Sequence, residues 1–137
     1  MSNPERVDEV KVLFVEDDPA FADMYRLKLE MDGYSVQLAG DGQEALDLLM
    51  SEDLPDLVFL DIRLPKVDGL TVLERLRAAE RTHELPVVIL SNYGEDEFRT
   101  RGLHMGALEY LIKANVTPAE LSQGVEKWSS PLGAFEE

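Results

Sequence analysis

Val12-Leu13-Phe14-Val15-Glu16-Asp17-Asp18-Pro19 sets four consecutive apolar residues directly against three acids and a proline. Its first half is apolar at every position rather than at alternate ones. That is the pattern of a strand covered on both faces, as in a parallel sheet layered between helices. Val87-Val88-Ile89-Leu90 repeats it later in the chain. Working outward, five apolar runs read as strands: Val10–Val15, Tyr34–Ala39, Leu57–Leu60, Pro86–Leu90 and Ala107–Ile112. The segments between them have helical spacing. Ala20, Met24, Leu27 and Met31 form a one-sided stripe on the first helix, and Leu70, Leu73 and Leu76 one on the third.

The punctuation agrees with this alternation. Asp18-Pro19 opens the first helix, Gly33 follows it and Asp41 can cap the second. Thr117-Pro118-Ala119-Glu120 combines a capping box with proline at the first helical position, and the fifth helix runs through Leu121, Val125 and Trp128 to end near Ser129. Strand and helix alternate five times, which predicts a three-layer (βα)5 α/β domain over residues 10–129, with tails at 1–9 and 130–137.

Bulk properties narrow the function. At 137 residues the chain has the size of one ordinary domain. Its 28 acidic and 13 basic side chains give a formal net charge of −15, a field that repels phosphate backbones and anionic lipid headgroups. Direct nucleic-acid binding and membrane association are therefore not expected. Cysteine is absent, which removes thiolate nucleophiles and cysteine-ligated metals and suits a reducing compartment. With no secretory pattern before Val10 and no apolar run of membrane-spanning length, the expected location is the cytoplasm.

In such a sheet, ligands bind beyond the carboxyl ends of the strands, where the strand order reverses. The first strand ends in Glu16-Asp17-Asp18 and the third in Asp61. Two like charges about 4 Å apart repel by roughly 4 kcal/mol at an effective dielectric of 20, so this convergence invites a hard divalent cation such as magnesium. Ser91 and Lys113 end the fourth and fifth strands on the same edge. Carboxylates, a hydroxyl and an ammonium on one rim make a site for a phosphoryl group, with Asp61 placed as carboxylate nucleophile. Asp18, followed by proline, reads as a helix cap, and Asp68-Gly69 as a turn into the third helix. His83 and His104 read as surface residues.

Val15-Glu16-Asp17-Asp18-Pro19, Leu60-Asp61-Ile62-Arg63-Leu64-Pro65 with Asp68-Gly69, Ser91, and Gly106-Ala107-Leu108-Glu109-Tyr110-Leu111-Ile112-Lys113 together resemble the response-regulator receiver domain of two-component signalling. The match runs from about Val10 to Trp128. The resemblance implies a flavodoxin-like, doubly wound five-stranded parallel sheet in the order 2-1-3-4-5. It implies that Asp61 is the phosphoryl acceptor and a Mg2+ ligand, that Asp17 ligates directly with Glu16 acting through water, and that the Arg63 carbonyl completes the protein's share. Ser91 and Lys113 would contact the phosphoryl group, and Tyr110 would turn inward when Ser91 is drawn to it. A histidine kinase or histidine phosphotransfer protein would be the donor. A downstream protein would bind the face made by the fourth helix, fifth strand and fifth helix.

The sequence departs from the family pattern at two places. Lysine is usually followed there by a cis proline, but Ala114 follows Lys113. A cis bond before a non-proline residue costs about 2.5–4 kcal/mol, so a trans bond is expected. Asn92 stands where a small residue is common, and Arg63 and Tyr93 flank the pocket, where large side chains are expected to slow hydrolysis of the acyl phosphate. Two competing functions stay open: a receiver-like scaffold independent of phosphorylation, and a magnesium-dependent phosphohydrolase. The second is disfavoured because Arg63 occupies the position where such enzymes carry a second acid.

Overall fold

A computed structural model describes residues 9–51, 53–92, 94 and 96–129. The expected tails lie outside the described residues except for Glu9, as does Tyr93. Five strands alternate with five α-helices: β1 (Lys11–Val15), α1 (Pro19–Met31), β2 (Ser35–Ala39), α2 (Gly42–Leu49), β3 (Leu57–Leu60), α3 (Gly69–Ala78), β4 (Val87–Ser91), α4 (Asp96–His104), β5 (Glu109–Ile112) and α5 (Pro118–Ser129). All pairings are parallel, in the order β2-β1-β3-β4-β5. Burial follows position in the sheet. The central β3 and β4 are buried throughout, whereas the edge strands β2 and β5 are only partly covered.

Alternate side chains of the sheet feed two cores. Leu13, Val15, Val58, Leu60 and Ile89 pack with Leu46, Leu49, Leu70, Leu73 and Leu76 from α2 and α3. On the other face, Phe14, Leu57, Phe59 and Val88 pack with Ala22, Tyr25 and Leu29 of α1 and with Leu121 and Val125 of α5. The expected stripe on α3 is therefore the buried one. That on α1 is not: Met24, Leu27 and Met31 are 47%, 50% and 78% exposed, and Ala20 is also exposed. At about 100° per residue, the Ala22-Tyr25-Leu29 row lies on the opposite side of the helix. Both rows are apolar, and the inner one wins because its aromatic ring packs against Phe14, 5.5 Å between ring centroids.

The helix starts behave as their sequences require. Asp18 accepts hydrogen bonds from the Ala20 and Phe21 amides, Asp41 from Glu44 and Asp68 from Thr71, each relieving an otherwise unpartnered amide of the first turn. At α5 the capping box closes in both directions, Glu120 N–H to Thr117 Oγ1 and Thr117 N–H to Glu120 Oε1.

Candidate functional site

The register of the sheet assembles the site. Val15 of β1 lies beside Leu60 of β3, so Glu16 and Asp61 leave the sheet side by side at the point where the chain turns from one half of the sheet to the other. Ser91 pairs with Ile112 across β4 and β5, which places Lys113 one residue beyond it on the same edge. The backbone fixes Asp61 closely. Its amide donates to the Val15 carbonyl at 3.2 Å, and the Ile62 amide donates to its own Oδ1 at 2.7 Å. A Cβ at Gly69 would come within 1.9 Å of the Asp61 carbonyl oxygen, so only glycine lets α3 begin this close to Asp61.

Lys113 joins the two halves of the site. Its Nζ is 2.5 Å from Glu16 Oε1 and donates to Asp61 Oδ2 at 3.0 Å, and all three side chains are almost completely buried. The other oxygen of Glu16 accepts from the Asp18 amide at 3.0 Å. Burial is the strongest influence on both acids and pushes each above the ordinary carboxylate range, against the opposing pull of Lys113. Burial alone would lower the lysine. Its contacts with Glu16 and Asp61 together outweigh that, and its pKa is raised.

Asp17 is exposed, and one ligand atom each from Glu16, Asp17 and Asp61 fall within 4.8 Å of one another. Three carboxylates against one ammonium leave a formal charge of −2, which a divalent cation would balance. The donors are hard oxygens, and they face a cavity of about 390 Å³ lined by Asp18, Phe21, Arg63 and Asn92 as well as the site residues, with room for the waters magnesium retains. The residues fit the ion.

The remaining residues are placed as follows. Ser91 is fully buried at the end of β4, and exposed Asn92 meets the cavity in front of it. Arg63 is exposed, and its guanidinium lies 5.6 Å from the centre of the Phe98 ring of α4, bridging to a second groove of about 520 Å³. Tyr110 is buried, with Arg99 of α4 over its ring at 5.1 Å. Asp18 is a cap and His83 and His104 are exposed, as expected. Among the described residues no peptide bond is cis, so Lys113-Ala114 is trans, and Lys113–Asn115 forms a short 3-10 turn. Phe21 was not foreseen as part of the site. The lysine ammonium lies 4.6 Å from its ring centre. The signal was its place three residues after the Asp18 cap, where the first turn of α1 comes back over the strand ends.

Comparison with known proteins agrees with this geometry. A chain 45% identical over 103 residues is the DNA-binding dual master transcriptional regulator RpaA of Synechocystis, with the match covering 75% of this chain and 42% of that protein. The phosphate regulon transcriptional regulatory protein PhoB of Rhizobium meliloti is 40% identical over 108 residues, 79% of this chain and 47% of its own length. The chain thus spans less than half the length of these curated relatives. Among solved structures, a CheY-like receiver domain protein of Methanospirillum hungatei superposes with a TM-score of 0.82 at 26% identity, covering 94% of this chain and 99% of that one. The receiver domain of the Pseudomonas aeruginosa sensor histidine kinase PA1611, solved with magnesium coordinated in its active site cleft, gives 0.78 at 29% identity, covering 88% and 98%. The family model of the response regulator receiver domain matches residues 12–126, and the chain belongs to that family.

Proposed function

We propose that this receiver is a phosphoryl-accepting switch in which Asp61 takes a phosphoryl group from a phosphohistidine of a histidine kinase or phosphotransfer protein. The observation that carries the reading is the buried Asp61 carboxylate held between the Ile62 amide and Lys113, with Glu16 and Asp17 beside it. Glu16, Asp17, Asp61 and the carbonyl of Arg63 would hold Mg2+, which when bound supplies charge neutralisation for the phosphoryl oxygens.

The chain's own groups do the rest. A carboxylate oxygen of Asp61 attacks phosphorus, the P–N bond to the donor imidazole breaks as the O–P bond forms, and the imidazole, protonated on its other nitrogen, leaves neutral. Lys113 keeps its positive charge throughout and follows the negative charge from carboxylate to phosphoryl oxygen. Ser91 donates its hydroxyl to that group, and the modified state favours an arrangement of Ser91 and Tyr110 that changes partner affinity at α4, β5 and α5. Leu103 and Leu108, 43% and 49% exposed, offer apolar contact there. The module catalyses only its own phosphorylation and dephosphorylation, drawing the phosphoryl group from the donor.

Incubation with Mg2+ and acetyl phosphate tests this by intact mass. The expected result is one phosphoryl adduct in the parent and none in Asp61→Asn. Continuous phosphate release without an adduct would instead identify a phosphohydrolase, and an unmodified chain would identify a scaffold.

A further inference from the structure

The β5–α5 loop raises a mechanical question. Lys113 must hold a flexible, four-carbon side chain against two carboxylates, yet Ala114 and Asn115, the next residues of its turn, are both exposed and add little packing. The turn ends at Val116, whose amide reaches the Lys113 carbonyl at a long 3.4 Å. The firmer tie comes from across the domain. Tyr25 of α1, 1% exposed, donates its hydroxyl to the Val116 carbonyl at 2.7 Å. Its ring stacks on Phe21 at 4.7 Å and 10°, and Phe21 in turn carries the lysine ammonium over its face. A single aromatic pair on one helix thus touches both ends of the lysine, the backbone turn through Tyr25 and the charged tip through Phe21.

We infer that Tyr25 and Phe21 are positioning residues for Lys113, Tyr25 fixing the turn from which the lysine extends and Phe21 supporting its ammonium between Glu16 and Asp61. This deepens the phosphoryl-acceptor reading and rests on it for its consequence in rate. Tyr25 does not touch the reacting atoms, and its hydroxyl acts on the lysine through the loop. Burial raises the phenol above its ordinary value, which keeps the hydroxyl protonated and able to donate across the physiological range. The carbonyl it serves is left without that donor when the hydroxyl alone is removed.

The test compares the parent with Tyr25→Phe and Phe21→Leu, and uses Val125→Ala as a core control in the same layer. Phosphoryl uptake from acetyl phosphate at saturating Mg2+ is followed by mass. Mg2+ affinity is titrated separately, and the Lys113 side-chain NMR signal is recorded in the unphosphorylated protein. In Tyr25→Phe and Phe21→Leu we expect a displaced Lys113 signal, Mg2+ affinity within about twofold of the parent, and uptake slowed about three- to tenfold, the rate equivalent of one hydrogen bond in the first and of one cation–π contact in the second. Val125→Ala should lower the melting temperature while leaving the signal and the rate unchanged. An unchanged Lys113 signal in both aromatic variants, or parental uptake rates in both, overturns the inference. Should the parent itself take up no phosphoryl group, the function proposed above fails, while the Lys113 signal still decides the positioning role.

Discussion

Three side chains, Glu16, Asp61 and Lys113, form a buried cluster in which each charge depends on the others. Substituting Lys113 by methionine keeps the bulk but strands two carboxylates. We expect about 3 kcal/mol of lost stability in chelator, read from urea unfolding, with part regained when Mg2+ is added. Asp61 gives a prediction of opposite sign. Burial raises its pKa, so the folded state holds its proton more tightly than the unfolded chain does. The resulting stability is fully present below the unfolded pKa and is lost as pH rises through the folded one. Asp61→Asn has no such proton to lose. In chelator, the stability of the parent relative to this variant should therefore fall as pH climbs upward from the ordinary aspartate range, and a difference that grew in the parent's favour would contradict the assignment. The carboxylates, Ser91 and Lys113 could be found in the sequence because each ends an apolar run. Phe21 and Tyr25 could not, since an aromatic on a helix signals core packing and says nothing of what lies beyond it.

Helix α1 shows where periodicity stops being decisive. Its two apolar rows both satisfy a helical repeat, and sequence alone gave no reason to prefer Ala22, Tyr25 and Leu29 over the Met24, Leu27 and Met31 row. The structure's choice can be checked by thermal or urea unfolding. Leu29→Ala should cost about 2–5 kcal/mol by opening a cavity in a fully buried layer, whereas Met31→Ala should stay within about 0.5 kcal/mol. Comparable losses at both positions would mean that α1 is rotated. Helices α3 and α5 posed no such ambiguity, because their outward faces are polar and the apolar row can point only inward. The strands were legible to within a residue or two at their ends. Those ends moved because a strand stops where its ladder of hydrogen bonds stops, a property of two strands together.

At the scale of the whole molecule, the grouped carboxylates of Glu16, Asp17 and Asp61 belong to a chain of net charge −15, and a cation bound among them should be felt by the entire fold. We expect Mg2+ to raise the unfolding free energy by about 2.7 kcal/mol at one hundred times its dissociation constant, reversed by chelator and lost in Asp61→Asn, as differential scanning calorimetry can measure. A salt series with a monovalent cation separates general screening of the −15 charge from occupation of the site. The order of apolar runs, caps and strand-end residues determined the (βα)5 class, the parallel sheet and the acidic pocket at the strand ends, because those features are written in local spacing and in which residue follows each strand. Only the tertiary structure decided which face of α1 is buried, that Lys113 bridges Glu16 and Asp61, and that Tyr25 anchors Val116 from 91 positions away in the chain. Such contacts depend on the rotation of one packed element against another, and no local pattern in the chain encodes that rotation.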